Sequence, residues 1–456
     1  MNRVTKRTWL MGLFILILFL GMVFSLAEYA VESGDWVSAT GSPHLYNGSN
    51  LGTGVVTDRS GEVLLDMTEG RTYSENSTTR KSTLHWLGDR KGFIQAGAVS
   101  SYTAQMAGFD PVNGIYDSSG QGGEEKLTIS ARVQNAALEA MNGRKGVVAV
   151  YNYKTGEILC ALTTPTYDPD NVPDIQDGDE TYSGVYLNRF LQSAYVPGSI
   201  FKIVTTAVAL ETVPGIEDMT FTCTGEKSYG TESVTCEKAH GTQTLKQAFA
   251  HSCNCAFAQV AEKIGRKNME KYVKKFGITE PISFDGVTSV AGNYDLEGAG
   301  IVSYAWSTIG QHTDLVNPAR YMTFMGQIAA GGQGVEPYLV SEVRCGGEVT
   351  YTAKPKKTER IFSEEIAAKV RDYMRNNVKT IYGDGNFPGL SVCAKSGTSQ
   401  LGGGLKSNAM FAGFVENEEY PLAFMVVVEN GGYGSATCVP VLSKVLAVCK
   451  QVMDGE

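Results

Sequence analysis

The chain has 456 residues, which is enough for about three domains of ordinary size. Hydrophobic residues make up 43% of the sequence, including 18 Phe and 22 Tyr, and this composition excludes a wholly disordered or fibrous protein. The net charge of −9 and the lack of a long basic run argue against a nucleic-acid-binding protein, which presents a basic face to its ligand.

The N-terminus carries an uncharged, apolar segment at residues 9–27. A helix of this length can cross the hydrocarbon of a bilayer. Because basic residues precede the segment and acidic residues follow it, the positive-inside rule predicts a cytoplasmic tail at 1–8 and export of the rest. A cleaved signal peptide is the alternative, since Ser25–Ala27 resembles a cleavage site. A retained anchor makes the chain a single-pass protein of the cell membrane with its bulk outside the cytoplasm.

The region that follows the anchor differs in composition from the rest of the chain. Residues 28–125 are rich in Gly, Ser, Thr and Asn with short apolar runs, which predicts a small, β-rich membrane-proximal domain. The small, polar stretch 117–125 predicts a linker. Residues 126–456 then form the second and larger predicted domain.

The larger domain begins with a helix capped by Ser130 and closed by Gly143, followed by a hairpin over 146–163. Three more strands precede a final helix behind Pro440, and the middle of the domain is mostly helical. The predicted fold is α+β: an α/β/α sandwich with a five-stranded antiparallel sheet flanked by helices, plus an all-helical subdomain. The later strands are 391–400, 410–415 and 422–429, and examples of the helices are 199–211, 244–264, which begins with a Thr244/Gln247 capping box, and 363–378.

The first candidate for chemistry is the sequence PGSIFK at 197–202. The Pro-Gly pair turns the chain into a helix on which the Ser199 hydroxyl and the Lys202 amine lie one turn apart on the same face. Because this helix is apolar almost all round, we expect Lys202 to be buried, and desolvation then favours a neutral amine that accepts the serine's proton. Alone, a Ser and a Lys three residues apart are also typical of an ordinary amphipathic helix.

Two further motifs, Ser252-Cys253-Asn254 and Lys395-Ser396-Gly397-Thr398, stand later in the chain. Singly, the first is compatible with a helix break and the second with an edge-strand charge. On a strand, the Lys and Gly of the second motif face one way and its Ser the other, and the Gly lets a substrate lie close to the backbone. In this order, and on these predicted elements, the three motifs together indicate one site built around the Ser199–Lys202 pair rather than a coincidence.

The nine cysteines do not form an evident disulfide framework. Cys223 and Cys236 bracket a loop rich in Gly, Ser and Thr, and theirs is the one spacing that suits a local disulfide; the sequence leaves open whether they are bridged. No metal site is predicted, because the chain has no C-x-x-C and its five His show no ligand spacing.

The three motifs resemble the signature of the penicillin-binding protein and serine β-lactamase superfamily. Cys253 and Ser396 stand where that signature has Asp and Thr, which leaves the reacting groups intact. With the N-terminal anchor and segments such as 54–61 and 143–150, the chain resembles the class B penicillin-binding proteins, the monofunctional peptidoglycan D,D-transpeptidases, over essentially 54–438. The region before 126 is short for this class.

The resemblance implies a two-step acyl transfer on peptidoglycan stem peptides that end in D-Ala-D-Ala. Ser199 attacks the penultimate carbonyl, Lys202 acts as the general base, and Ser252 passes the proton to the leaving D-Ala in the field of Lys395. An amine from a neighbouring strand then resolves the acyl-enzyme, and β-lactams acylate the same serine. No cofactor or metal is implied.

The resemblance also implies how the substrate is held. Asn254 binds the substrate amide, and the backbone N–H groups of Ser199 and Thr398 form the oxyanion hole. The hydroxyls of Ser396 and Thr398 hold the terminal carboxylate beside Gly397. The implied partner is a membrane glycosyltransferase of the shape, elongation, division and sporulation family. A class D-like serine β-lactamase and a non-catalytic β-lactam sensor or scaffold are the alternative functions.

Overall fold

The computed structural model describes residues 2–37, 46–47, 50–51, 53–68, 70–107, 122–400 and 406–455. The helices of these residues are α1 (Asn2–Val37), α2 (Ser77–Leu87), α3 (Gly97–Ser100), α4 (Thr103–Met106), α5 (Ala131–Met141), α6 (Arg189–Gln192), α7 (Lys202–Thr212), α8 (Leu245–Ala250), α9 (Asn254–Ile264), α10 (Arg266–Phe276), α11 (Ile301–Ser307), α12 (Pro318–Ala329), α13 (Glu364–Asn377) and α14 (Gly434–Asp454).

The strands make one large antiparallel sheet, a second mixed sheet and several two-stranded ribbons. They are β1 (Tyr46–Asn47), β2 (Asn50–Leu51), β3 (Val55–Thr57), β4 (Val63–Asp66), β5 (Thr72–Tyr73), β6 (Glu124–Leu127), β7 (Gly146–Asn152), β8 (Ile158–Thr164), β9 (Thr220–Cys223), β10 (Glu226–Tyr229), β11 (Glu232–Thr235), β12 (Gly241–Thr244), β13 (Ser283–Phe284), β14 (Val287–Thr288), β15 (Val340–Cys345), β16 (Glu348–Thr352), β17 (Val392–Ser399), β18 (Asn408–Val415) and β19 (Leu422–Val428).

The central sheet has the strand order β17-β18-β19-β7-β8, and every neighbouring pair is antiparallel. Alternate residues of β7 enter different cores: Val147 and Ala149 pack on one side of the sheet, and Val148 and Val150 on the other. Helices α12 and α13 cover the first side, and α5 and α14 cover the second. The predicted α+β sandwich with its five-stranded antiparallel sheet is therefore confirmed.

Two helices begin at the capping residues that the sequence predicts. The Ser130 hydroxyl accepts from the N–H of Val133 at 3.5 Å at the start of α5, and Thr244 forms a capping box with Gln247 at the start of α8. The end of α5 differs by one residue, because Asn142 itself takes the left-handed conformation that closes the helix.

Two predicted helix bounds were wrong. The stretch 244–264 is two helices, α8 and α9, because Ser252 between them has a left-handed φ of 53° that no helix accommodates. The last helix begins at Gly434, so Pro440 lies inside it. Residues on both sides of that proline, among them Cys438 and Val441, are buried in the core, and this burial outweighs the hydrogen bond that Pro440 cannot make.

The region between α7 and α13 is mainly helical but not wholly so. It contains the antiparallel ribbons β9/β12 and β10/β11, which lie between α7 and α8 at 220–244. The prediction of an all-helical subdomain missed this ribbon insertion. Its short strands have few apolar residues, so they show only a weak alternation of apolar and polar side chains.

A second sheet, of order β16-β15-β6-β3-β4-β5, combines early strands with two strands from 340–352. Here β3 and β6 are parallel, while β6 and β15 are antiparallel. The predicted domain boundary at 125 falls within β6 and remains a prediction. The predicted linker 117–125 lies partly outside the described residues, and its last two residues are in β6.

The N-terminal helix α1 contains the predicted anchor segment 9–27. Residues 3–33 have a mean hydropathy of 2.7 at their most apolar window, and none of that window is buried. A helix of this length with exposed apolar side chains is suited to lipid rather than to water. Of the described helices, α14 is also long and apolar, but it covers the central sheet.

Asn317 provides a test of how the core is held. Its Oδ1 accepts from the N–H groups of Ala319 and Arg320 at the start of α12. Its Nδ2 lies 2.9–3.2 Å from three backbone carbonyls at 190–193, and the residue is fully buried.

We expect Asn317→Ala to lower the free energy of unfolding by about 2–4 kcal/mol, since it removes a cap and leaves buried carbonyls without a donor. Chemical denaturation of the full chain in detergent measures this value. The control is Asn76→Ala, which removes the more exposed cap of α2 and is expected to cost about 1 kcal/mol. Equal losses from the two variants would contradict the role given to Asn317.

Candidate active site

A cleft of about 610 Å³ opens between strand β17 and the helical region. The hydroxyl-bearing residues of all three sequence motifs line it, and so does Asn254. Its rim includes Glu237, from the ribbon insertion, and Tyr433, whose hydroxyl donates to that carboxylate at 3.1 Å. The fold therefore brings together three motifs that are far apart in the chain.

Ser199 lies in a short 3₁₀ turn, Gly198–Phe201, which leads directly into α7. This turn stands where the sequence predicted the first turn of an α-helix. Gly198 has a φ of +55°, and a Cβ there would lie 2.6 Å from the carbonyl oxygen of Thr398. A Cβ on Gly397 would lie 2.7 Å from the carbonyl oxygen of Pro197. Glycine at both positions thus lets the serine turn pack directly against β17.

The Lys202 amine is fully buried and lies among polar groups of the second motif. Its Nζ is 3.1 Å from Ser199 Oγ, 3.1 Å from Ser252 Oγ and 2.8 Å from Asn254 Oδ1. It also donates to the Ser252 carbonyl at 2.7 Å. Burial lowers the pKa of Lys202 to about 7, although nearby cysteine thiols oppose the shift. A substantial neutral fraction is therefore available at neutral pH.

Ser252 connects the two lysines. Its hydroxyl lies 3.1 Å from Lys202 Nζ and 3.2 Å from Lys395 Nζ. Lys395 is also fully buried, and its amine donates to the carbonyl of Ser396 at 2.8 Å. Burial and the nearby amine of Lys202 hold the pKa of Lys395 well below its ordinary value. The left-handed backbone of Ser252 aims its hydroxyl between the two amines.

Both ends of the Asn254 amide have partners in the chain. Oδ1 accepts from Lys202, and Nδ2 donates to the carbonyl of Thr235 at 3.0 Å. These contacts connect the start of α9 to the serine–lysine pair and to the ribbon insertion. Binding of a substrate amide by Asn254 stays a prediction, and it would use the second hydrogen of Nδ2 or the second lone pair of Oδ1.

Strand β17 forms an edge of the central sheet and carries the third motif. The N–H of Ser396 donates to the hydroxyl of Tyr382 at 2.9 Å, and the two hydroxyls are 2.9 Å apart. Thr398 Oγ1 accepts from the N–H of Gly434 at 3.1 Å. Both hydroxyls can thus accept inside the protein and keep their own protons for a ligand in the cleft.

Sequence reasoning missed Tyr382, Glu237 and Tyr433, which lie outside the three motifs and have no recognisable spacing from them. Tyr382 is buried and adjoins the edge strand from the end of α13. Only the packing of α13 on β17 places it beside Ser396.

All nine cysteines are free thiols, so Cys223 and Cys236 are not bridged. Their sulfurs instead lie 3.7 Å and 3.5 Å from His240 Nδ1. The Cys253 sulfur, from the second motif, is 3.9 Å from that of Cys236. These residues match no standard metal-binding motif in the sequence, which is why no metal site was predicted.

Comparison with known proteins identifies the family. Residues 146–447 match the model of the penicillin binding protein transpeptidase domain. The peptidoglycan D,D-transpeptidase PbpA of Mycobacterium tuberculosis is 28% identical over 374 residues, which are 74% of this chain and 74% of PbpA.

Solved structures share the fold. The D,D-transpeptidase domain of a peptidoglycan glycosyltransferase from Eggerthella lenta has a TM-score of 0.73 at 25% identity, covering 87% of this chain and 98% of that one. Penicillin-binding protein A of M. tuberculosis, as its penicillin G acyl-enzyme, has a TM-score of 0.71 at 23% identity over 87% and 99% of the two chains. The matched transpeptidase domain covers more than half of the residues of this chain. The chain therefore belongs to the penicillin-binding protein transpeptidase family.

Proposed function

We propose that this chain is a serine-type peptidoglycan D,D-transpeptidase that cross-links stem peptides and is acylated by β-lactams. The observation that carries the proposal is the continuous series of contacts from Ser199 through Lys202 and Ser252 to Lys395, which opens on a cleft beside an edge strand. Similarity to PbpA, a peptidoglycan D,D-transpeptidase, supports the same reaction.

In the acylation step, Ser199 Oγ bonds to the carbonyl carbon of the penultimate D-Ala while its proton passes to the neutral amine of Lys202. The contact of 3.1 Å between these two atoms suits that transfer. The C–N bond to the terminal D-Ala then breaks, and its nitrogen takes up a proton through the hydroxyl of Ser252. Lys395 holds that hydroxyl in place by a hydrogen bond.

In the second step, an amine of a neighbouring stem peptide attacks the ester carbonyl. The amine loses its proton through Ser252 and Lys202, the ester C–O bond breaks, and Ser199 Oγ recovers a proton. Throughout, the backbone N–H groups of Ser199 and Thr398 stabilise the oxyanion. The close packing of the serine turn on β17 supports this pairing of N–H groups.

The hydroxyls of Ser396 and Thr398 are proposed to bind the terminal carboxylate of the donor peptide. Both line the cleft; Thr398 Oγ1 accepts from the N–H of Gly434, and Ser396 Oγ can accept from the Tyr382 hydroxyl, which would leave both protons for the ligand. Asn254 acts first as a positioning residue for Lys202 and then as a donor to the substrate amide. Gly397, between Ser396 and Thr398, faces the serine turn, where a Cβ would lie 2.7 Å from the carbonyl oxygen of Pro197, so it keeps the strand close to Ser199.

The exposed apolar helix α1 supports a retained anchor at 9–27, with the tail 1–8 in the cytoplasm and the catalytic domain, 126–456, outside the cell. An anchor of this kind holds the enzyme at the surface where glycan strands are polymerised. We therefore propose a membrane glycosyltransferase of the shape, elongation, division and sporulation family as its partner.

Ser199→Ala is expected to abolish covalent labelling by a fluorescent penicillin, because the attacking oxygen is lost. Lys202→Ala should keep noncovalent drug binding and slow acylation by about 10²-fold or more, the scale for loss of a general base. Stopped-flow acylation and gel fluorescence measure the two effects. Labelling that persists in Ser199→Ala would contradict the nucleophile assignment, and an unchanged rate in Lys202→Ala would contradict the base.

The acylation rate should rise with pH through about 7, since the pKa of Lys202 is lowered to about 7 and only its neutral amine accepts the serine's proton. Below that pH the rate should fall as the amine becomes protonated, and above it the rate should level off. Rates measured across the pH range at constant ionic strength test this profile. A flat profile through neutrality would exclude Lys202 as the titrating base.

The penicilloyl–Ser199 ester is expected to survive for many minutes, which distinguishes this function from that of a β-lactamase. Of the described residues that line the cleft, Glu237 is the one carboxylate, and Tyr433 at the rim donates to it. Intact-protein mass spectrometry measures the lifetime, and Glu237→Gln should leave it unchanged. Steady-state nitrocefin hydrolysis at about ten or more turnovers per second would instead favour the β-lactamase alternative.

A further inference from the structure

A group of soft ligands lies beside the active site, between the ribbon insertion and the start of α9. Four ligand atoms, three sulfurs and one imidazole nitrogen, all lie within 4.8 Å of one another. The residues of this thiol–imidazole cluster are Cys223, Cys236, His240 and Cys253. We propose that the thiol–imidazole cluster binds one Zn²⁺ ion in a closed, structural site.

The spacing of the ligand atoms matches a tetrahedral ion. With Zn–S bonds of about 2.3 Å and Zn–N bonds of about 2.0–2.1 Å, tetrahedral geometry places sulfurs about 3.8 Å apart and sulfur about 3.6 Å from nitrogen. The Cys236 and Cys253 sulfurs are 3.9 Å apart. His240 Nδ1 lies 3.7 Å from the Cys223 sulfur and 3.5 Å from the Cys236 sulfur. An ion therefore fits without a large movement of any of these side chains.

The donor set also selects the metal. Three thiolates and one imidazole are typical of structural zinc, whereas magnesium and calcium prefer oxygen ligands. Cys223 and Cys253 are buried, and Cys236 and His240 are partly buried, so the site is shielded but can be reached. Binding releases the three thiol protons, and the occupied site carries a net charge of −1.

The surrounding fold gives the ion a structural purpose. The ribbon insertion at 220–244 consists of two-stranded ribbons, and few of its side chains are buried. Small units of this kind commonly need a metal or a disulfide in place of a core. Cys223 ends β9, Cys236 follows β11 and His240 precedes β12, so one ion would fasten all parts of the insertion together.

The fourth ligand joins the insertion to the catalytic motif. Cys253 is the N-cap of α9, and its sulfur accepts from the N–H of Ala256 at 3.4 Å. Its chain neighbours are Ser252, which contacts both buried lysines, and Asn254, which donates to Thr235 in the insertion. Zinc at this point would hold the left-handed Ser252 in the orientation that acyl transfer requires.

A disulfide between Cys236 and Cys253 is the competing chemistry. That bond needs a sulfur separation of about 2.05 Å and uses only two of the four ligands. It does not account for the Cys223 sulfur and the His240 nitrogen, which face the same point. The convergence of all four ligand atoms favours a metal ion.

The experiment measures zinc in the full chain, purified in detergent without a metal-affinity step and dialysed against buffer free of zinc. Elemental analysis should find about one Zn²⁺ per chain. Cys223→Ser, Cys236→Ser and His240→Ala should lose nearly all of it. Cys345→Ser changes a buried cysteine of β15 that is outside the cluster, and should keep the full content. Ser199→Ala should also keep it, which separates this proposal from the proposed function.

Replacement of zinc by Co²⁺ provides a second readout that does not depend on activity. Thiolate-to-cobalt charge-transfer bands and intense visible bands should appear in the wild-type chain and in Cys345→Ser, and not in the cluster variants. A chain with four reduced ligands and no zinc would overturn the proposal. So would zinc that is retained equally in all variants, or a loss of two hydrogens located by peptide mass mapping to a Cys236–Cys253 disulfide.

Discussion

The burial of two lysine amines around one serine hydroxyl is the constraint on which the active site depends. Outside water an ammonium ion is costly, so Lys202 and Lys395 need polar partners at short range and have lowered pKa values. Ser252 supplies an oxygen to both amines from the break between α8 and α9. The helix break, the left-handed conformation of Ser252 and the lowered pKa of Lys202 are therefore features of the same set of contacts.

Close backbone packing fixes the other half of the site. The serine turn and β17 approach so nearly that Gly198 and Gly397 have no room for a Cβ. Gly434, at the start of α14, would place a Cβ 2.2 Å from the carbonyl oxygen of Gly397. The edge strand is thus held between the turn and the last helix, and its exposed hydroxyls keep a defined position.

The sequence predicted most of the central fold because its signals are local. The caps at Ser130 and Thr244 and the short apolar runs of the central strands depend on neighbouring residues, and the structure confirms those elements. The sequence left a helix break at Ser252 as one interpretation and did not decide it, because a left-handed serine has no sequence signature. Tyr382 was missed for a different reason, since its contact with Ser396 depends on the packing of α13.

The thiol–imidazole cluster was missed because its ligands come from separate segments. Cys236 and His240 are close in the sequence, but Cys223 and Cys253 reach the same point only after the ribbons fold. The three motifs did locate the serines and lysines that the fold brings into contact, because each of those residues lies in a short segment of recognisable sequence. Ligand sets assembled by long-range contacts require the fold itself.

The mixed sheet has a consequence for how the chain folds during synthesis. Strand β6 pairs with β15, and the hydroxyl of Ser341 donates to the carbonyl of Lys126 across a sequence separation of 215 residues. Closing so long a loop is slow compared with forming hairpins. The edge of β6 that β15 will cover therefore stays open until most of the chain has emerged. The nascent chain has to protect that edge from other strands for the whole of this interval.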